Sequence, residues 1–157
     1  MKYTICSGGE EETRALAARL VHRLEPPLLI ALDGPLGAGK TCFVKGLGAA
    51  LGLDPDGVSS PTFVICERHP LKTGSLIHID AYRLSGPDDL ETIGFDEMLN
   101  EADVIIAVEW ASRIQAALPV SRISVTLQHT GPQERAIALE TPDELAGVLG
   151  RIQESIP

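Results

Sequence analysis

LLIALDGPLGAGKT, residues Leu28 to Thr41, decides the fold. Leu28 to Asp33 is a continuous apolar run closed by an aspartate, the pattern of a strand covered on both faces. Three glycines then fall within eight residues, Gly34, Gly37 and Gly39. Neither a strand nor a helix interior favours that density of glycine. After the loop, TCFVKGLGAALG returns to helical spacing, with Val44, Leu47 and Leu51 on one face and Gly52 placed to cap the end. The local order is strand, glycine-rich loop, helix, and the loop fits the pattern G-x-x-x-x-G-K-[ST] through Gly34, Gly39, Lys40 and Thr41.

That pattern has a physical reason. A loop that wraps a polyphosphate presents backbone N–H groups to it, and a side chain at Gly37 or Gly39 would block the anion or forbid the required backbone angles. A helix opening at Lys40 turns its positive end toward the phosphates. Lys40 adds a point charge at the β and γ phosphates, and the Thr41 hydroxyl is a magnesium ligand. The candidate cofactor-binding residues of this stretch are Gly34, Leu36, Gly37, Ala38, Gly39, Lys40, Thr41 and Cys42. The cofactors expected are ATP and Mg2+; the absence of an N-K-x-D guanine motif favours ATP over GTP.

Outward from the loop, the 157 residues predict one domain, 1–157, long enough to bury a core without disulfide or metal staples. Apolar residues make up 44% and aromatics only 4%, so the core is expected to be Leu, Ile, Val and Ala. Thirteen basic against 22 acidic residues give a net charge of −9. Proteins that grip nucleic acid by themselves show a basic face, so no DNA partner is expected and tRNA only indirectly. Cys6, Cys42 and Cys66 fit no metal spacing and no closed disulfide set. MKYTICSGGEEE lacks the apolar centre of a secretory leader, and no apolar run reaches the roughly 18 residues of a membrane span. A cytoplasmic protein with no membrane partner is the expectation.

The remaining elements follow from periodicity. Ser7 and Glu10 have the form of a capping box, opening an amphipathic helix from Glu10 to Leu24 that Pro26 and Pro27 stop. Thr62 to Arg68 and Ser75 to Asp80 read as strands paired in a hairpin around HPLKTG. Ser85 to Ala102 reads as one or two short helices, Val104 to Trp110 as a buried strand, and Ala111 to Leu118 as a short helix ended by Pro119. Arg122 to Gln128 and Arg135 to Glu140 suggest a second hairpin. Thr141, with Glu144 three residues on, predicts the cap of a last helix reaching about Ile156. The sum is a three-layer α/β fold with a mixed parallel and antiparallel sheet.

Phosphate-loop chemistry also needs a carboxylate for magnesium and a group that orients or deprotonates the attacking species. Asp80 ends SLIHID and Glu109 ends VIIAVE, so both belong at the C-terminal sheet edge, where α/β proteins bind ligands. In SSPTF, Pro61 extends Ser60 and brings Thr62 into the strand with a hydroxyl in reach of magnesium or the γ-phosphate; on spacing alone a plain threonine at the start of a strand fits equally. Trp110 follows Glu109 and, as a strand residue, faces the opposite side. His78 shares a strand face with Asp80, and a packed histidine is the plainer reading there.

In order, GPLGAGKT, SPTF, HIDAYRL and VEW followed by LP resemble the TsaE (YjeE) family of small bacterial ATPases, from about residue 28 to 119. The resemblance implies a role in the threonylcarbamoyl modification of adenosine 37 in tRNA, with ATP hydrolysed at a heterodimer of TsaB and TsaD. It implies phosphate and magnesium roles for Lys40 and Thr41 and a functional Thr62. Glu109 is matched to magnesium and Asp80 to water orientation or activation, the two roles being exchangeable. The catalytic set implied is therefore Asp80, Glu109, Lys40 and Thr62, with Thr41, Glu109 and Asp80 as metal ligands. Trp110 matches a tryptophan near the nucleotide, and Glu10 and Arg135 are candidates for contact with the base. Cys42 stands where the family often has a second threonine, and Ala81 where it usually has leucine. Two rival readings stay open: a small-molecule kinase, for which acidic 85–102 is the only candidate lid, and a non-catalytic ATP-dependent binding switch.

Overall fold

The computed structural model describes residues 1–59 and 65–154. Seven strands form one sheet: β1 (Lys2–Ser7), β2 (Leu28–Asp33), β3 (Cys66–Pro70), β4 (Ser75–Asp80), β5 (Val104–Glu109), β6 (Ile123–His129) and β7 (Arg135–Glu140). The sheet order is β1-β7-β6-β2-β5-β4-β3. The central strands β6, β2, β5 and β4 run parallel. Antiparallel pairs flank them, β1 with β7, β7 with β6, and β3 with β4. The α/β architecture with a mixed sheet is the one the sequence predicts.

Helices cover both faces. On one side α1 (Glu10–Val21) and α2 (Lys40–Ala50) pack Leu16, Leu20, Phe43 and Leu47 against Ile30, Leu32, Ile123 and Leu127. On the other, α3 (Phe95–Leu99) and the 3-10 turns Pro87–Ile93 and Ala111–Ala117 bring Leu90, Phe95 and Ile114 onto Ile77, Ile79 and Ile106. Strands β4 and β5 are buried almost throughout because both of their faces are covered. A glycine is required where the helices α1 and α2 touch: a Cβ on Gly46 would stand 2.6 Å from the Arg14 carbonyl oxygen.

Four local expectations are corrected, and one strand is added. Residues 2–7 form a strand, an edge strand that buries only Ile5 and Ser7 and so carries little apolar alternation. Ser7 and Glu10 form no capping box: Gly9 caps α1 with no side-chain bond, Ser7 Oγ donates to the Gly9 carbonyl at 2.7 Å, and Glu12 accepts from the Gly8 N–H at 2.6 Å. The helix ends at Val21, short of Leu24. Thr141 caps no helix either; a 3-10 turn (Asp143–Leu145) follows Pro142, and α4 (Ala146–Glu154) begins only after it. The expected strand at 62–68 is seen as Cys66–Pro70, and Thr62 lies outside the described residues.

Candidate functional site

The C-terminal ends of β4 and β5 open into a cavity of about 540 Å³ beside the N-terminus of α2. The loop from Gly34 to Gly39 forms one wall. Positive φ at Gly34 (147°), Gly37 (75°) and Gly39 (106°) gives the loop its turn, in the region that L side chains avoid. Of the residues predicted from sequence, Glu10, Leu36, Gly37, Gly39, Lys40, Thr41, Cys42, Asp80, Glu109 and Trp110 line this cavity. Gly34 and Ala38, in the loop itself, do not, and neither does Arg135, which bonds to the loop carbonyls and so is not placed to touch a base in the cavity. The Gly34 carbonyl accepts from Lys40, and the Ala38 carbonyl accepts from Arg135 Nε at 3.1 Å.

Lys40 is 5% exposed. Its ammonium donates to the Gly34 carbonyl at 2.6 Å and to the Pro35 carbonyl at 3.0 Å, and lies 3.9 Å from the centre of the Trp110 ring. Burial pushes this ammonium below the ordinary lysine value, against the pull of Glu109, Asp33 and Asp80, whose negative charges favour the cation. Trp110 reaches the lysine because β5 stops at Glu109. With φ at 57°, the tryptophan is the only described residue other than glycine with positive φ, and the turn brings its ring back over the loop rather than to the far side. Asp33 Oδ1 accepts from the Ser112 N–H at 3.0 Å and ties this turn to the end of β2. The Tyr82 ring lies 5.0 Å from that of Trp110.

The two carboxylates face each other across adjacent parallel strands, Asp80 being the register partner of Glu109. Both are nearly sealed from solvent. Glu109 Oε1 accepts from the Thr41 hydroxyl at 2.8 Å and contacts His78 Nε2 at 3.0 Å. Asp80 Oδ1 accepts from the Tyr82 N–H at 2.9 Å, folding the chain after β4 into a turn. These are hard oxygen donors of the kind that hold magnesium in part, the rest of its shell being water and phosphate. Among the described residues no three of the His, Cys, Asp and Glu side chains form a metal cage by themselves.

Sequence reasoning missed three residues that line the cavity, Arg14, Lys45 and Tyr82. Arg14 and Lys45 stand one helical turn beyond Glu10 and Thr41, a spacing that could have found them. Asp33 ends its strand as Asp80 and Glu109 end theirs. His78 is fully buried against Glu109, a contact that strand alternation placed nearby without naming its partner.

The comparisons with known proteins agree with one another. A family model described as threonylcarbamoyl adenosine biosynthesis protein TsaE matches residues 7–137. The chain is 38% identical over 127 residues to the tRNA threonylcarbamoyladenosine biosynthesis protein TsaE of Bacillus subtilis (strain 168), covering 81% of this chain and 78% of that protein. It is 41% identical over 138 residues to the protein so named from Streptomyces coelicolor, covering 86% of each. Among solved structures, the crystal structure of YdiB from Bacillus subtilis superposes with a TM-score of 0.79 at 27% identity, over 98% of this chain and 95% of that one.

Proposed function

This chain belongs to the TsaE family, and from that membership we propose that it serves tRNA threonylcarbamoyladenosine biosynthesis by binding ATP with Mg2+ and hydrolysing it. We place it with TsaB and TsaD as partners and tRNA as an indirect one, since a net charge of −9 offers little to a polyanion.

The observation that carries the reading is the convergence of two strand-end carboxylates, the glycine loop and the start of α2 on a single cavity. Lys40 stands in it as the cation for the β and γ phosphates, and the helix N-terminus adds its partial charge. Thr41 and Glu109, already joined at 2.8 Å, would hold magnesium. That ion, when bound, neutralises charge that develops on the phosphates. Asp80, held by the Tyr82 N–H, would orient the attacking water or take its proton. Trp110 and Tyr82 screen Lys40 from bulk solvent, which strengthens its charge at the site. Thr62, the remaining member of the implied catalytic set, lies outside the described residues.

The test is ATP hydrolysis by the purified chain, alone and with TsaB and TsaD of the same organism. Stimulation by the pair, lost in Glu109→Gln, is the expected result. Binding without turnover under either condition would favour a switch that acts through occupancy alone. Turnover indifferent to the pair would favour transfer to an acceptor other than water.

A further inference from the structure

Arg135 opens β7 and turns its side chain out of the sheet onto the back of the glycine loop. Its Nε donates to the Ala38 carbonyl at 3.1 Å and its Nη2 to the Gly37 carbonyl at 3.3 Å. On the other side of the same guanidinium, Nη1 donates to the Glu134 carbonyl at 2.9 Å and to the Gly131 carbonyl at 3.4 Å. One planar group thus joins two adjacent loop carbonyls to the turn between β6 and β7. The same hairpin supports the loop elsewhere. A Cβ on Gly34 would stand 2.4 Å from the Leu127 carbonyl oxygen, and one on Gly39 3.5 Å from the Leu127 side chain.

A trans peptide points its C=O and the following N–H in opposite directions. Holding the Ala38 carbonyl toward Arg135 therefore aims the Gly39 N–H away from Arg135, and Gly39 lines the cavity while Arg135 does not. Loop carbonyls left without donors would be free to rotate and turn their N–H groups off the anion. Lysine cannot make the same fork, because its single ammonium does not span two neighbouring carbonyls in one plane.

We propose that Arg135 is a positioning residue: without touching the ligand, it fixes the loop peptides that receive the phosphates and ties their geometry to the turn 130–134. The inference rests on the reading of the cavity as a nucleotide site.

A fluorescent ATP analogue, titrated into the full chain with Mg2+, tests it. Arg135→Ala is expected to weaken binding roughly tenfold or more, the scale of one lost charge-assisted bond. Arg135→Lys is expected to recover only part of that. Millimolar guanidinium ion added to Arg135→Ala is expected to restore affinity, and to leave wild type and Lys40→Ala unchanged. In turnover assays KM should rise more than kcat falls. Wild-type affinity in Arg135→Ala, or a deficit that guanidinium fails to reduce while Arg135→Lys binds no better than Arg135→Ala, overturns the inference and leaves the nucleotide reading intact. Failure of both variants to fold also overturns it, since Arg135 would then act on stability and not on the loop. A wild-type chain that binds no analogue overturns the nucleotide reading and this inference with it.

Discussion

His78 Nε2 lies 3.0 Å from Glu109 Oε1, and the same carboxylate oxygen receives the Thr41 hydroxyl at 2.8 Å. The imidazole is fully buried, and its Nδ1 has no partner among the described residues. The pair therefore serves the carboxylate: it holds Glu109 in one rotamer from the sheet side, while α2 holds it from the other. Replacing His78 by Phe keeps bulk but leaves a buried carboxylate short of one bond, at a cost of about 1–3 kcal/mol. Chemical denaturation of His78→Phe beside wild type measures that loss; an unchanged midpoint would mean that the contact contributes nothing.

Glu109→Gln and Asp80→Asn separate binding from chemistry. Both should retain measurable ATP affinity, because Lys40 and the loop peptides remain. Turnover should fall on the order of 10²-fold or more in Asp80→Asn if that group positions or activates water. Single-turnover hydrolysis with saturating nucleotide gives the figure. Wild-type rates in both variants would remove these carboxylates from the reaction.

The lowered pKa of Lys40 carries a sign that two measurements can check. The folded chain disfavours the ammonium, so the ligand-free protein gains stability from this group as pH rises through its folded-state value, below 10.5. Phosphate binding needs the ammonium, so ATP affinity falls over the same alkaline window. Melting and binding followed from neutral to alkaline pH, each taken as a difference from Lys40→Met, should move in opposite directions. Affinity that holds constant well past the point where an exposed lysine loses its proton would contradict the assignment.

Gly46 tests the packing that aims α2 at the site. A methyl there would meet the Arg14 carbonyl oxygen at 2.6 Å and the Arg14 Cα at 2.7 Å. Gly46→Ala should cost about 1–3 kcal/mol. The melting point should drop roughly 2–4 °C for each of these. Gly57→Ala, with nothing within 4 Å of its added Cβ, is the control and should lie within about 0.5 kcal/mol of wild type.

Thiol chemistry distinguishes the cysteines. Cys6 is exposed, whereas burial pushes the thiols of Cys42 and Cys66 upward and leaves less thiolate to react. Under limiting iodoacetamide, Cys6 should be modified first. Cys42, at the cavity wall, should be slowed further by ATP, and peptide mass spectrometry reads the order. Preferential loss of Cys42 would mean that its thiol is activated in solution.

The loop, the two strand-end carboxylates and the sheet's buried strands were legible because each is written in a local signal: glycine spacing, an apolar run, an acid after it. The order of the strands in the sheet was not read from the sequence. The side to which the Trp110 ring turns was not legible, because it depends on a backbone turn at one residue that alternation cannot foresee. Arg135 pointed to the site in sequence but not to its partners, since the reach of a guanidinium across a hairpin is set by tertiary packing. Strand β1 escaped because an edge strand with one apolar face buries too few residues to register as alternation.

The resting bonds of Lys40 have a consequence for ligand choice. Two carbonyls and an aromatic ring already occupy its ammonium, so an incoming molecule enters by exchange rather than by filling a vacancy. On the proposed nucleotide reading, a nucleoside monophosphate, its single phosphate short of the lysine, would gain nothing from that exchange, whereas a triphosphate would. The Lys40 contacts would then act as a gauge of chain length in the anion, grading nucleotides by their number of phosphates before any base is read.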